Sequence, residues 1–413
     1  MSYPESSNET DVWLARVADH LKQNRYGTHT PDYLAKVKYF LSYLLSENLT
    51  VHNVQPSDVR KYLDTLRPKR KSGRNTLPSK GLRIPHRAAI NMLMRLVHGH
   101  WPLAPVAKSK QARCREKLIG GYDAWMRDLR GLAERTRSIR CAEARSFLEW
   151  LGERRSQMKL TSFTVVDLDA YVRSRASSMR RRSLQSLTGN LRIFLRYLHG
   201  LGMIPDLGST LIGPRVYAFE GMPSALRAEE IDKVLYCTRQ DHKPSGLRDY
   251  AMLLLLSTYG LRAGEVTGLR LEDIDWTHDR LRIRHFKTGA YSELPLLRAP
   301  GEALLEYLRR GRPKTSFREI FVHVQAPYRA FDGSVLYSAL RRRLRAAGVI
   351  PQGRKGPHAF RHARAASLIK HNIPLKVIAD VLGHRSLRST MTYLKLDQEA
   401  LRGVALELPG VAP

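Results

Sequence analysis

The sequence predicts a multi-domain chain, mainly α-helical, with one small β-sheet that makes its C-terminal part α+β. Three observations carry this prediction. Apolar residues recur at helical spacing from residue 11 to residue 204, a stretch rich in glycine and proline follows, and strand-like alternation then occurs in one place, around residues 281–296. At 413 residues the chain is also too long for one ordinary core, and size scaling suggests roughly two to four domains.

The first half reads as two related helical modules. Tyr39-Phe40-Leu41-Ser42-Tyr43-Leu44-Leu45 has the character of Ser146-Phe147-Leu148-Glu149-Trp150-Leu151. Each is followed by a second amphipathic segment, Val59-Arg60-Lys61-Tyr62-Leu63 and Leu168-Asp169-Ala170-Tyr171-Val172, with Ser57 and Asp167 as candidate N-caps. A third helix closes each module at Arg95-Leu96-Val97-His98-Gly99 and Arg196-Tyr197-Leu198-His199-Gly200, where glycine is the stop signal. Three landmarks in one order favour duplication over coincident helical patterning. The implied boundaries are an N-terminal helical module over residues 1–110, a second helical module over 115–205, a linker over 206–224 and a C-terminal domain over 225–413.

In the C-terminal domain, helices are expected over residues 229–236 and 247–259. A strand at 281–285, a turn at Lys287-Thr288-Gly289 and a second strand around 293–296 form a hairpin, and helices resume from Gly301 with one short apolar interruption at 320–322.

Composition narrows the partner. Lysine and arginine total 70 against 38 acidic residues, a net charge of +32 that calls for a polyanion. The longest apolar run, residues 251–256, falls far short of the roughly 20 residues that span a bilayer, and the polar N-terminus is unlike an export signal. A membrane is therefore excluded as the partner and nucleic acid retained, with a cytoplasmic or nucleoid location expected. Cys114, Cys141 and Cys237 are isolated, so neither a disulfide framework nor a zinc finger is supported. A charge run by itself marks a solvated surface. Lys69-Arg70-Lys71 with Arg74, and Arg180-Arg181-Arg182, recur at matching places in the two modules of a strongly basic chain, and they are read as loops that contact DNA phosphates.

The chemistry-bearing residues lie in the C-terminal domain. Thr258-Tyr259-Gly260-Leu261-Arg262-Ala263-Gly264-Glu265 sets an arginine just after a buried helix, with a glutamate three positions on that can hold it. His358-Ala359-Phe360-Arg361 sets a histidine and an arginine at i and i+3 on one helix face. Leu382-Gly383-His384 presents a histidine after a helix-ending glycine, and Tyr393 follows nine positions later. Singly, each has a bland reading: a surface ion pair, a structural histidine, a packed tyrosine.

The ordered set of two arginines, two histidines, a hairpin lysine and a late tyrosine resembles the tyrosine recombinase, or phage integrase, family at every catalytic position. The resemblance is strong over residues 225–400 and extends to 115–204 as that family's core-binding domain. It implies an integrase-like catalytic domain in which Arg262 and Arg361 grip the phosphate and Glu265 supports Arg262. Lys287 is the implied general acid, His358 assists proton transfer, His384 donates to the phosphate, and Tyr393 is the nucleophile. Phe360 and Gly264 are small departures from the common pattern. The implied activity is site-specific recombination of double-stranded DNA through a 3′-phosphotyrosyl link and a Holliday junction. A homo- or hetero-tetramer of recombinase subunits is implied, and the short apolar tail at residues 397–408 would pack against a neighbouring subunit or cap its own domain.

The residue types suit that reaction on independent grounds. Attack on a phosphodiester builds charge on its non-bridging oxygens, and two arginine forks can stabilise it bidentately without a metal. The absence of D-x-D, H-x-H and G-x-x-x-x-G-K-[ST] patterns leads to the expectation of no metal and no other cofactor. Two alternatives remain: a type IB topoisomerase, which uses a similar constellation, and a catalytically silent DNA-binding paralogue, which would show losses among the six positions, where none is found.

Overall fold

The computed structural model describes residues 5–66, 80–102, 109–154, 163–217, 225–285, 289–351, 356–383, 390, 391 and 393. Lys69, Arg70, Lys71, Arg74, Lys287, His384 and the tail at 397–408 lie outside the described residues. The chain divides into two compact units, Met1–Pro102 with Gly221–Pro413, and Leu103–Glu220.

The N-terminal part of the first unit holds α1 (Glu5–Gln23), α2 (Thr30–Ser46), α3 (Pro56–Thr65) and α4 (Lys80–His98). Their buried residues follow the helical repeat: Trp13, Val17 and Leu21 on α1; Val37, Phe40, Leu41 and Leu44 on α2; Val59, Tyr62 and Leu63 on α3; Ile90, Leu93 and Met94 on α4. The second unit has the same order in α5 (Lys110–Asp128), α6 (Glu134–Arg154), α7 (Val165–Ala176) and α8 (Arg181–Gly200). Here Phe147, Tyr171 and Phe194 are among the largest fully buried side chains.

The correspondence extends to side-chain geometry. Phe40 meets Tyr62 edge-on at 5.1 Å and 66°, and Phe147 meets Tyr171 edge-on at 5.2 Å and 67°. Three residues after each phenylalanine, Tyr43 and Trp150 pack on the same tyrosines at 5.1 and 5.4 Å. Aromatic pairs at this distance and tilt place ring edge against ring face, the arrangement their quadrupoles favour.

Three features correct the sequence reading. Each described module has a further helix ahead of the three expected, α1 and α5. The N-caps of α3 and α7 are Gln55 and Thr164, not Ser57 and Asp167. Asp58 and Asp167 occupy the N3 position instead, where each carboxylate accepts from the N-cap backbone amide, at 3.0 and 2.9 Å. Gly99 does adopt a left-handed φ of +73°, but Gly200 lies inside α8 and the left-handed residue beyond that helix is Gly202, at +68°.

The C-terminal part of the first unit runs α9 (Ala228–Arg239), α10 (Pro244–Tyr259), the short α11 (Ala263–Thr267), β1 (Ile274–Asp275), β2 (Arg280–Arg284), β3 (Tyr291–Pro295), α12 (Arg298–Glu306), α13 (Gly333–Ala346), α14 (Pro357–Lys370) and α15 (Leu375–Val381). The antiparallel sheet has order β1-β2-β3, with Leu281 opposite Leu294 and Arg284 opposite Tyr291. The strand β1 was not expected from alternation, because two residues are too few to show a period. Helix α10 is buried nearly all round, which explains why it reads as the longest apolar run. It is the central element, packed against α9, α12 and α14.

A buried ion network fastens α10 to α13. The Asp249 carboxylate accepts from Arg248 at 2.8 Å and from Arg343 at 2.9 Å, and Arg343 also donates to Asp241 at 2.7 Å. Arg248, Asp249 and Arg343 are all buried, so removing the shared carboxylate charge strands Arg248 and leaves Arg343 with Asp241 alone. Asp249→Asn is expected to destabilise the unit by about 3–5 kcal/mol, measurable as a lower denaturant midpoint in equilibrium unfolding of the full chain.

Candidate active site

The site begins where α10 stops. Gly260 takes φ +65°, and a Cβ there would stand 2.8 Å from the Leu382 side chain, so both conformation and space demand glycine. Arg262 follows as the N-cap of α11. Its backbone amide donates to Glu265 Oε2 at 2.7 Å and its guanidinium to Oε1 at 2.7 Å, while a second guanidinium nitrogen donates to the Gly383 carbonyl at 3.1 Å. The glutamate anticipated as the support of Arg262 is thus in contact with it. Glu265 is buried, yet its carboxyl is held below the usual range. Burial acts to raise it, and the Arg262 amide, the His285 ring and the Arg262 guanidinium together outweigh burial.

Arg361 enters from α14 and is 2% exposed. It donates to the Gly260 carbonyl at 2.8 Å and to the Leu382 carbonyl, and its side chain is hydrogen-bonded to Tyr393. Burial, followed by the positive charge of Arg262, weakens its hold on its proton, an effect that requires the two guanidinium groups to be neighbours. Arg262, Glu265, Arg361 and Tyr393 therefore meet in one place.

Tyr393 is 5% exposed and packs with Ala365, Ile369, Ile378 and Leu382 of α14 and the α15 region. His358 stands exposed on the first turn of α14, while Arg361 turns inward, so the shared face expected for the pair divides into an outer and an inner position. Between His358 and the tyrosine lies a residue that motif reasoning passed over. His362 stacks on His358 at 6.1 Å and meets the Tyr393 ring edge-on at 5.1 Å. Its signal was present, since i and i+4 share a helix face.

His285 is the second such residue. At the end of β2 it is buried, with Nδ1 2.8 Å from Glu265 Oε1 and Nε2 2.8 Å from Ser292 Oγ. Inward alternation through Leu281 and Ile283 predicts its burial. Lys287 and His384 lie outside the described residues. Their described neighbours are in the site: His285 beside Glu265, and Gly383 under the Arg262 guanidinium.

Arg180, Arg181 and Arg182 start α8 in the other compact unit and are exposed, with the Arg181 guanidinium 5.8 Å from the Tyr217 ring. Among the described residues no cluster of three or more His, Cys, Asp or Glu side chains is placed to hold a metal ion, and no described helix is long and apolar enough to cross a membrane.

Comparison with known proteins identifies the family. Residues 224–400 match the phage integrase family. The integrase/recombinase y4gC of Sinorhizobium fredii (strain NBRC 101917 / NGR234) is 56% identical over 189 residues, 46% of this chain and 97% of that protein. A second protein of that strain, the integrase/recombinase y4rA, is 36% identical over 300 residues, 72% of each chain. The fold is that of a lambda integrase tetramer solved on a Holliday junction, with TM-score 0.53 and 18% identity over 79% of this chain and 90% of that one. The chain belongs to the phage integrase family and is a tyrosine recombinase.

Proposed function

We propose that this recombinase cleaves and rejoins double-stranded DNA at a specific site, with Tyr393 as nucleophile and a 3′-phosphotyrosyl link as intermediate. The observation that carries this reading is the position of Arg361, which touches Tyr393 on one side and the Arg262 pocket on the other. In the reaction the Tyr393 phenol oxygen bonds to phosphorus, its proton passing to His358, and the bond to the 5′ oxygen breaks. Lys287 supplies the proton that the departing 5′ oxygen needs, and His384 donates to a non-bridging oxygen. Arg262 and Arg361 stabilise the charge that builds on the phosphate. A 5′ hydroxyl from a second duplex then reverses the step, and four subunits exchanging strands in pairs produce a Holliday junction, the substrate on which the lambda integrase tetramer was solved. Packing of Tyr393 against α14 of its own chain supports attack in cis.

The matched aromatic clusters of the two helical modules support reading residues 1–110 as a duplicate of the core-binding domain at 115–205, followed by a linker at 206–224 and the catalytic domain at 225–413. The exposed Arg180, Arg181 and Arg182 on the second module, and Lys69, Arg70, Lys71 and Arg74 on the first, would contact phosphates. A chain that acts on DNA in this way works in the cytoplasm, at the nucleoid.

Incubation with a library of nicked suicide duplexes, followed by sequencing of DNA left attached to protein, tests the reading. Wild-type chain is expected to trap a restricted set of sequences, while Tyr393→Phe binds the same duplexes and traps none; trapping by Tyr393→Phe refutes the assignment. Arg262→Ala and Arg361→Ala should each slow trapping about 10²- to 10³-fold, as for loss of one oxyanion donor. Replacing Arg180, Arg181 and Arg182 together by glutamine should weaken binding to all duplexes alike and reduce the salt slope by up to about 3, near 0.9 for each phosphate left without its cation.

The carboxyl of Glu265 adds a pH signature. Because its native value lies below the ordinary 4.5, its contribution to stability is complete above the unfolded-state value and is lost as pH falls through the depressed native one. The unfolding midpoint of Glu265→Gln should therefore trail wild type by a constant margin at neutral pH, and the margin should close only in acid.

A further inference from the structure

Three segments that carry the proposed catalytic groups come together at one side chain that is not among them. We infer that His285 is a positioning residue that fixes Glu265, and through it Arg262, against the β2–β3 hairpin and the Gly383 backbone. This rests on the function proposed above and identifies a residue it does not use.

The geometry is specific. Glu265 Oε1 receives both the Arg262 guanidinium, at 2.7 Å, and His285 Nδ1, at 2.8 Å, while Oε2 receives the Arg262 amide. The carboxylate thus has donors on both oxygens, and its plane is set by groups from two elements, α11 and β2. A carboxylate accepts only, so Nδ1 is the protonated nitrogen in this contact, and Nε2 is left facing the Ser292 hydroxyl of β3 at 2.8 Å. The ring is held at both nitrogens and cannot turn without breaking a buried hydrogen bond. Its edge lies against Gly383, where a Cβ would collide with the imidazole, and the carbonyl of that same glycine receives the Arg262 guanidinium at 3.1 Å.

His285 therefore sets two of the partners that orient Arg262, namely Glu265 and Gly383. It also ties the base of the hairpin to them. The His285 amide donates to the Ala290 carbonyl at 2.9 Å, and the Gly289 amide donates back to the His285 carbonyl at 2.8 Å, joining the described residues on either side of Lys287 in the sequence. The bonds to Glu265 and Ser292 and the close fit on Gly383 hold the ring, and the proposed phosphoryl transfer consumes none of them.

The test compares His285→Phe and His285→Asn in the full chain. Phe keeps a ring and removes both nitrogens, whereas Asn keeps a donor near the Nδ1 position. The substrate is a nicked suicide duplex of the sequence recovered from the library, made once with a phosphodiester at the cleaved position and once with a methylphosphonate. A methyl group there replaces one non-bridging oxygen and removes the charge that Arg262 serves. His285→Phe is expected to slow covalent trapping on the phosphodiester about 10- to 100-fold, up to what a displacement of about 1 Å in a catalytic group costs, with binding to the intact duplex unchanged. On the methylphosphonate the deficit should shrink to a small fraction of that, and His285→Asn should recover most of the rate on the phosphodiester.

An equal deficit on both substrates means that the ring acts through general structure, and it overturns the inference, as does a wild-type rate for His285→Phe. Thermal unfolding accompanies each variant. If His285→Phe does not fold, Ser292→Ala takes its place, because it frees the far side of the ring. A slowing confined to the phosphodiester supports the inference, and no slowing overturns it. Failure of the wild-type chain to trap any library member is a separate result, which refutes the proposed function itself.

Discussion

Two guanidinium groups of like charge are kept together around a single buried carboxylate. Burial of Arg361, which is almost wholly removed from solvent, acts against that arrangement, and the positive charge of Arg262 adds to it. What holds the pair is largely the backbone. Arg361 donates to the carbonyls of Gly260 and Leu382, and Arg262 to that of Gly383. Carbonyl oxygens satisfy N–H donors without cancelling charge, so each side chain is oriented while the pocket keeps a net positive potential. A second carboxylate would have stabilised the free protein better and served a phosphate worse. The surplus charge is the preorganisation that electrostatic catalysis requires, since no solvent or side chain need reorient as negative charge develops.

The same carbonyls explain the glycines. Gly260 and Gly383 both sit at left-handed φ, which turns the chain sharply at the ends of α10 and α15 and exposes carbonyls that helix interiors would use internally. Each is also crowded, Gly260 by Leu382 and Gly383 by His285. Backbone from distant parts of the chain is thereby brought within reach of two long side chains, and the site becomes a product of close main-chain approach as much as of its charged residues.

Much of this was legible in the residues, for reasons that differ by case. Arg262 with Glu265 is a local pattern whose contact survives folding, whereas His358 and Arg361 share a helix but part into an exposed and a buried position. The buried α10 and the alternation of β2 follow directly from hydrophobic period. The N-caps were misassigned because serine and aspartate are plausible caps in isolation, and only the geometry shows that Asp58 and Asp167 act from N3. The role of His285 was beyond reach from sequence, because it depends on a contact with Glu265 twenty positions away across a strand and a helix. His362 is legible in the residues, since it stands one turn after His358 at i+4 on the same helix. The extra helix is hard to read in α5 because five of its first eight residues, Lys110–Lys117, are charged, and the buried stripe of Ile119, Tyr122 and Met126 begins only after them.

The difference in exposure between the two arginines bears on the direction of attack. The Arg262 side chain is 24% exposed, whereas Arg361 and Tyr393 are 2% and 5% exposed, so an approaching phosphate meets Arg262 at the surface while Arg361 and the phenol lie beneath. In-line displacement needs the attacking and leaving oxygens on opposite sides of phosphorus. A nucleophile held on the inner side, hydrogen-bonded to Arg361 and braced by the His362 ring, leaves the outer side for the departing 5′ oxygen. A tyrosine waiting at the surface would compete with the DNA for the side from which the leaving group must depart. Under the assignment proposed above, the burial of Tyr393 puts the attacking oxygen on the inner side of the phosphorus, beneath Arg262, and leaves the solvent side for the departing 5′ oxygen.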